Sequence, residues 1–339
     1  MSNSAVRDSN IELLRIISMF MVMIVHAVMV IGLPSVNEIS VYPLKSFMGV
    51  LIESFSIICV NVYILISGFY GIKFKLQSLL KLFFQTCFFV IILFLVFEPD
   101  KSLSNISSMI WNLITIKDYW FIRAYVVLFL IAPMINIYIE SAPKRQFELL
   151  IILYFIIQTV FAYLSQSSWW QDGYSPLTLL GVYMLGRYIR LYPNKLFELP
   201  KRYDLLIYMS LSLLISVLYI IFTVLFQSSG KVFNYVCPLV VLSSVYFFLF
   251  FSKIKIQSKL VNTFAAGAFA CYLVHMSPFF FEHYYKDILL SFFRESGTLL
   301  FLAKSLGYLI LIFGISAIVD RLRSYLFDLL KIGQKTIAS

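Results

Sequence analysis

Charged side chains are scarce in this chain of 339 residues. Only 13% of the residues are Asp, Glu, Lys or Arg, whereas a soluble globular domain carries about 25%. The scarcity excludes a soluble globular protein. It also excludes a nucleic-acid-binding role for the net charge of +10, because no soluble basic domain exists to carry that charge. With 61% hydrophobic residues, the sequence predicts an all-α, polytopic membrane protein.

Cysteine and histidine are also rare, with four and three residues respectively. Cys59, Cys87, Cys237 and Cys271 all fall within apolar stretches, so they predict neither a disulfide framework nor a metal-ligand cluster. We find no internal repeat and no low-complexity tract. No small-residue cleavage pattern follows the first apolar run, and we therefore expect that run to be retained as a membrane span.

Windows of about twenty apolar residues predict ten membrane spans. They lie near 12–33, 47–70, 76–97, 119–140, 146–165, 174–191, 204–226, 233–252, 261–281 and 299–319. The sixth is the weakest, because polar and small residues interrupt it. Segment 103–116 is too polar to span and predicts an interfacial helix or a re-entrant loop. Residues 1–339 are thus expected to form a single membrane-embedded domain with short tails.

The placement of lysine and arginine predicts the orientation of these spans. If the N-terminus is cytoplasmic, the inside segments hold 18 of these residues and the outside segments hold 6. Cytoplasmic loops carry such an excess, so both termini are predicted to lie inside. The basic residues would also attract anionic membrane lipids.

Arg15 and His26 lie inside the first apolar stretch, where ionisable side chains are costly and usually face a protein interior. Eleven residues come within about 20° of three full helical turns and rise about 16 Å. The two residues therefore share a helix face. Glu12 lies one turn before Arg15 and is placed to pair with it. The spacing predicts a polar column through half of the membrane.

Three further ionisable residues are predicted at a depth similar to that of His26. Glu53, Arg123 and His275 come from three other spans, and such groups are costly unless they face a common polar cavity. We therefore predict about ten helices around an intramembrane cavity. At its cytoplasmic end, Arg15 would meet a second basic group. That group consists of Lys73, Lys75 and Lys81.

Each of these residues also has a structural interpretation. In that interpretation, His26 and His275 form hydrogen bonds between helices. Glu53 forms an ion pair with Arg123 that holds two helices together. Arg15 fits a side chain that extends to lipid headgroups. The lysines at positions 73, 75 and 81 would act only to set the orientation of the membrane spans.

Four motifs resemble the signature of the acyltransferase family 3 integral membrane proteins, the bacterial polysaccharide O-acetyltransferase type. The first is Asn10-Ile-Glu-Leu-Leu-Arg15 followed by His26. The others are the Ser67-Gly68-Phe69 end of the second span, Trp120-Phe-Ile-Arg-Ala-Tyr125, and Tyr272-Leu-Val-His275. They occur in the family's order over about residues 10–320. Some relatives carry an extra extracytoplasmic hydrolase-like domain, and we expect none in these 339 residues, so that transfer would finish within the membrane domain or on a separate partner.

The resemblance implies a multi-pass enzyme of the bacterial cytoplasmic membrane with no bound cofactor or metal. It would move an acyl group, acetyl by family habit, from cytoplasmic acyl-coenzyme A to a sugar hydroxyl of a surface or lipid-linked glycan. Glu12, Arg15, Ser67, Lys73 and Lys75 would bind the donor. Trp120, Tyr125, Tyr272 and His275 would bind the acceptor.

The chemistry of this reaction suggests roles for the remaining residues. A sugar hydroxyl has a pKa far above 7 and needs a general base when it attacks a thioester. A neutral histidine in a desolvated cavity suits that task, which we assign to His26. Glu53 or another carboxylate would orient the histidine, as in a triad. Arg123 would stabilise the oxyanion or hold the acceptor.

Two other classes of membrane protein share some of these features. A transporter or flippase of lipid-linked sugars also has many spans and scattered ionisable residues, although broken or repeated spans would favour it. A glycan polymerase or ligase commonly needs a large extracytoplasmic loop, and the longest outside loop here has about 21 residues, at 98–118. A non-catalytic membrane scaffold is the third alternative. The acyl group, the acceptor sugar and the oligomeric state do not follow from the sequence.

Overall fold

The structure is a computed structural model that describes residues 8–228 and 231–329. Within these residues the chain forms helices and no strands, as the sequence predicts. The α-helices are α1 (Ser9–Ile31), α2 (Val36–Val41), α3 (Pro43–Ser56), α4 (Cys59–Tyr70), α5 (Leu76–Phe97), α6 (Leu103–Thr115), α7 (Trp120–Ser141), α8 (Lys144–Ile157), α9 (Pro176–Leu191), α10 (Lys201–Phe226), α11 (Pro238–Ser252), α12 (Lys259–Ala266), α13 (Ala268–His275), α14 (Pro278–Phe280), α15 (Asp287–Glu295) and α16 (Thr298–Leu329). Turns of π geometry follow α8 and α14, and a 3₁₀ turn precedes α9. The predicted tails fall partly on residues 1–7 and 330–339, which lie outside the described residues.

Seven stretches are long and apolar enough to cross a membrane. They are Ser9–Ile31, Pro43–Tyr70, Leu76–Phe97, Leu103–Ser141, Lys144–Leu164, Lys201–Phe226 and Thr298–Phe327. An eighth arises if the pair Lys259–His275 and Pro278–Glu295, bent by 67°, counts as one span. The chain is thus a multi-pass membrane protein.

The predicted count of ten spans is not confirmed, because two of them correspond to short helices. Segments 174–191 and 233–252 form α9 and α11, which have 16 and 15 residues. A full span needs about 20 residues. Most residues of both helices are buried by other helices. A composition window cannot separate a helix buried in protein from one that faces lipid, because both are apolar.

Segment 103–116 forms the helix α6, in which no residue is buried. Its exposed apolar side chains include Leu103, Ile110, Trp111 and Ile114, whose spacing places them on one face. Ile116, with a φ of 50°, separates α6 from α7. An amphipathic helix of this kind suits a membrane surface. The interfacial position itself remains a prediction.

The helices group into two compact units. Unit 1 comprises residues 1–73 and 127–262, and unit 2 comprises residues 74–126 and 263–339. In unit 1, α4 packs against α9, α1 and α11, and α10 packs against α11 and α3. In unit 2, α5 packs against α6, α13 and α16, and α13 also packs against α16.

Local sequence features explain why α1 ends shortly after His26 and why α2 begins where it does. Gly32 ends α1 with a φ of +92°, a value that side chains disfavour and glycine adopts readily. Ser35 and Glu38 then form a capping box at the start of α2, in which each side chain bonds the other residue's backbone N–H. His26 therefore lies five residues, or about 8 Å, before the end of its helix.

Candidate functional site

The predicted pair between Glu12 and Arg15 is present at the start of α1. Arg15 Nη1 lies 2.5 Å from Glu12 Oε1. Glu12 is buried, whereas 37% of the Arg15 side chain is exposed. The buried carboxylate fixes one side of the guanidinium and leaves its other N–H groups accessible. A guanidinium held in this way presents its N–H donors in one plane and is suited to bind phosphate or carboxylate groups.

Arg15 is also held through its backbone by the neighbouring helix α4. The Tyr63 hydroxyl donates to the carbonyl oxygen of Arg15 at 2.6 Å. Ser67, a predicted donor-binding residue, lies one turn further along α4 and donates its own hydroxyl to the Tyr63 carbonyl at 3.0 Å. In this structure the Ser67 hydroxyl is therefore hydrogen-bonded to the backbone of its own helix, α4. Tyr63 is a residue that the sequence analysis did not identify.

A second arginine, Arg190 of α9, belongs to the same region of unit 1. Its guanidinium lies 5.0 Å from the centre of the Phe69 ring, a cation–π contact. The charges of Arg15 and Arg190 both act on the Tyr70 phenol, which donates to Asp8 at 2.6 Å. From the sequence alone, Arg190 is predicted only as a topology determinant. We call Arg15, Arg190 and Tyr70 the arginine cluster.

Hydrogen bonds between side chain and backbone fix the segment after α4, where Lys73 lies. The Tyr183 hydroxyl accepts from the Ile72 N–H at 3.0 Å and donates to Asn136 Oδ1 at 2.8 Å. Asn136 Nδ2 in turn donates to the Ile72 carbonyl at 2.9 Å. This closed ring of three bonds holds the backbone beside Lys73, whose side chain is exposed. A fixed backbone with an exposed lysine is consistent with the predicted donor contact.

Arg187 of α9 is a mostly buried cation near this segment. Its Nη2 lies 3.4 Å from Glu140 Oε1. Its Nε is buried and has no hydrogen-bond partner among the described residues. A Cβ added to Gly71 would lie 2.8 Å from Arg187 Nη1, so the glycine leaves room for the guanidinium. Arg187 adds positive charge beside Lys73 and was not a predicted site residue.

His26 lies on α1, eleven residues after Arg15, and is partly buried. The helix is continuous from Ser9 to Ile31. The predicted relationship therefore holds, since an unbroken helix places both side chains on one face about 16 Å apart along the axis. The role of His26 as a base remains a prediction.

Glu53 of α3 is a buried carboxylate in unit 1. It is 5% exposed, and its Oε2 has no hydrogen-bond partner among the described residues. It forms no ion pair with the described residues of unit 1. A buried carboxylate with an open oxygen is unusual and needs an explanation.

In unit 2, the two predicted acceptor motifs meet in one aromatic cluster. The ring centre of Tyr272 lies 5.8 Å from that of Tyr119 and 6.1 Å from that of Phe121. Phe121 also contacts the rings of Trp120 and Tyr125 at 5.8 Å each. The Trp-Phe-x-x-x-Tyr and Tyr-Leu-x-His segments, distant in sequence, are thus neighbours in space.

Arg123 and His275 differ in exposure within unit 2. Arg123 is exposed on α7, and its charge acts on Tyr272 and Asp118. His275 is fully buried, with its Nδ1 2.6 Å from the Cys271 carbonyl oxygen and its ring 5.4 Å from that of Tyr285. This environment suits the structural interpretation of His275 better than direct acceptor binding.

The lysines that begin α5 also lie in unit 2. Lys75 precedes the first turn of α5 and is exposed. Lys81 lies 5.6 Å from the ring centre of Phe327. Their predicted roles toward the donor remain predictions. Among the described residues, no three His, Cys, Asp or Glu side chains cluster as metal ligands would.

Comparison with known families gives one result. The model described as "Acyltransferase domain" matches residues 8–321, which include all twelve predicted site residues. No curated protein and no solved structure matches the chain significantly. The match runs through both units and covers nearly the whole chain, so the protein belongs to the acyltransferase family 3 that its motifs indicate.

Proposed function

We propose that this protein is a membrane O-acyltransferase that acts on a glycan. It moves an acyl group, acetyl in the simplest case, from cytoplasmic acyl-coenzyme A to a sugar hydroxyl of a cell-surface or lipid-linked polysaccharide. The observation that carries this proposal is the Glu12–Arg15 pair on the same continuous helix as His26. One helix thereby provides an anion-binding group and a potential base about 16 Å apart.

The arginine cluster supports binding of the donor's phosphates. Acyl-coenzyme A carries several negative charges, and guanidinium groups bind phosphate through paired hydrogen bonds. Arg15 is oriented by Glu12, and Arg190 lies against Phe69, so part of the entropic cost of ordering both side chains is already met. The exposed lysines 73 and 75 would add contacts.

His26 would act as the general base in the transfer step. It removes the proton from the sugar hydroxyl as that oxygen attacks the thioester carbonyl. The new carbon–oxygen bond forms, the carbon–sulfur bond breaks, and His26 returns the proton to the departing thiolate of coenzyme A. Within unit 2, Arg123 and the aromatic side chains of Trp120, Tyr125 and Tyr272 would hold the acceptor.

We also propose that the protein resides in the bacterial cytoplasmic membrane with both termini inside. The threefold excess of lysine and arginine in alternate segments supports this orientation. It places the start of α1, with Arg15, on the side where acyl-coenzyme A is made. His26 would then lie in the half of the membrane nearer the acceptor.

Mass spectrometry of surface glycans tests the proposed function. Glycans from cells with and without the gene should differ by one acyl unit on a sugar residue. Restoring the wild-type gene should restore that unit, whereas restoring the His26→Ala variant should not. Identical glycan masses in the presence and absence of the gene would refute the glycan acceptor.

A further inference from the structure

Five residues of unit 1 form a polar group that none of the donor contacts uses. We call Glu53, Cys59, Asn61, Tyr174 and Tyr235 the Glu53 cluster. Asn61 Nδ2 donates to the Tyr235 carbonyl oxygen at 3.0 Å. Cys59 lies within electrostatic range of Glu53 and within hydrogen-bonding range of the Tyr235 side chain. The cluster thereby connects α3 and α4 with the segments before α9 and α11.

Two buried oxygen atoms of this cluster have no hydrogen-bond partner among the described residues. They are Glu53 Oε2 and Asn61 Oδ1. Glu53 is 5% exposed and Asn61 is fully buried. The Asn61 amide orientation is fixed, because only its nitrogen can donate to a carbonyl. Leaving a buried acceptor unpaired is unfavourable, which indicates that a donor belongs there.

Two tyrosines border the Glu53 cluster where it reaches the surface of unit 1. The rings of Tyr174 and Tyr235 meet edge to face with centres 5.4 Å apart. Tyr174 is 44% exposed, whereas Tyr235 is buried. Burial first, and then the nearby Cys59 and Glu53, raise the pKa of the Tyr174 phenol. An accessible aromatic ring therefore lies next to the buried carboxylate.

A close backbone approach holds these two tyrosines together. Gly173 adopts a φ of +95°, and a Cβ there would lie 2.8 Å from Asn234 Oδ1 and 3.0 Å from Tyr235 Cβ. Asn234 Oδ1 itself accepts from the Val236 N–H at 3.0 Å. A larger residue at position 173 would push the two segments apart. Glycine at this position keeps Tyr174 against Tyr235.

The chemistry of the open atoms defines the class of ligand. Asn61 Oδ1 can only accept, and the Glu53 carboxyl can accept as well, so the cluster calls for a group that donates hydrogen bonds. A sugar offers several adjacent hydroxyl donors, and its C–H face packs well on aromatic rings. The acyl-coenzyme A phosphates, by contrast, present acceptor oxygens and cannot donate to Asn61 Oδ1. The cluster thus suits the acceptor and not the donor.

We propose that the Glu53 cluster binds one sugar of the glycan acceptor. Glu53 and Asn61 accept hydrogen bonds from its hydroxyls, and Tyr174 packs on its ring. This inference rests on the proposed function, since it specifies where that reaction's acceptor binds. It gives Glu53 a binding role in place of the His26-orienting role suggested by the sequence. The two roles have different kinetic signatures.

Steady-state kinetics on the purified full chain in lipid nanodiscs tests this proposal. The acceptor probe is surface glycan purified from cells that lack the gene, and the donor is acetyl-coenzyme A. We expect Glu53→Gln, Asn61→Ala and Tyr174→Ala each to raise the KM for glycan at least tenfold. The Kd for acetyl-coenzyme A should stay within twofold of wild type. Donor binding also shows that each variant is folded.

Ser243→Ala is the matched control, because Ser243 of α11 is also fully buried in unit 1 with an unpartnered oxygen. Its KM for glycan should match that of the wild type.

Unchanged glycan KM in all three cluster variants would overturn the inference while leaving the proposed function intact. A fall in kcat at constant KM in Glu53→Gln would instead indicate that Glu53 orients His26. A wild-type chain that binds acetyl-coenzyme A but transfers nothing to this glycan would overturn both proposals.

Discussion

Gly68 of α4 and Gly186 of α9 lie directly against each other at the crossing of the two helices. A Cβ on Gly186 would lie 3.0 Å from the Gly68 Cα and 2.6 Å from the Leu65 carbonyl oxygen. A Cβ on Gly68 would lie 2.3 Å from the Tyr183 carbonyl oxygen. Small residues allow membrane helices to approach this closely. The crossing places Phe69 beneath Arg190 and so builds the arginine cluster.

Alanine at either glycine should therefore destabilise unit 1. The added methyl group meets backbone atoms that cannot rotate away, and overpacking of this kind costs about 1–3 kcal/mol. Thermal unfolding in detergent should show a lower Tm for Gly68→Ala and Gly186→Ala. Gly49→Ala in α3 is the control, because nothing lies within 4 Å of a Cβ there. Equal Tm values for all three variants would contradict the close crossing.

Replacing His26 with alanine should abolish transfer without unfolding the protein. Loss of a general base lowers the rate by about 10²–10⁴. The control is His283→Ala, because the His283 side chain is 81% exposed and should be dispensable. Transfer rates measured with radiolabelled acetyl-coenzyme A separate the two variants. If His26→Ala keeps more than a tenth of the wild-type rate, His26 is not the base.

Removing Arg190 should weaken donor binding, although the sequence analysis did not select this residue. We expect Arg190→Gln to raise the Kd for acetyl-coenzyme A about tenfold, because one charged phosphate contact is lost. Arg145→Gln is the control, since Arg145 is exposed at the start of α8 and belongs to no cluster described above. Equal Kd values for the two variants would remove Arg190 from the donor site.

Cysteine labelling in intact cells should reveal the orientation of the spans. The lysine and arginine pattern places Ser78 inside and Ser228 outside, and both positions are exposed. An impermeant thiol reagent should therefore label Ser228→Cys from outside, and should label Ser78→Cys only after the membrane is opened. The opposite pattern would reverse the membrane orientation and place Arg15 on the wrong side for a cytoplasmic donor.

The features that could be predicted from the sequence depend on local periodicity. The Glu12–Arg15 pair and the shared face of Arg15 and His26 follow from the geometry of one helix, and the structure contains both the pair and the unbroken helix. Membrane helices follow from apolar composition in the same way. The count of ten spans is not confirmed, because α9 and α11 are apolar but have only 16 and 15 residues, most of them buried.

The features that the sequence did not predict depend on contacts between distant segments. Tyr63 and Arg190 reach the Arg15 region from α4 and α9, and no spacing rule connects those helices to α1. Tyr174 and Tyr235 meet through a glycine with a positive φ in a loop. Glu53 was found as an isolated ionisable residue, but the open oxygen of Asn61 nearby becomes visible only in the folded chain.

Isothermal titration calorimetry with acetyl-coenzyme A tests the central claim most directly. The account predicts binding to the wild-type chain and at least tenfold weaker binding to Arg15→Lys, because lysine keeps the charge but loses the planar fork that Glu12 orients. Arg123→Lys, on α7, should bind the donor like wild type. No detectable binding to the wild-type chain, or equal losses in Arg15→Lys and Arg123→Lys, would contradict the account.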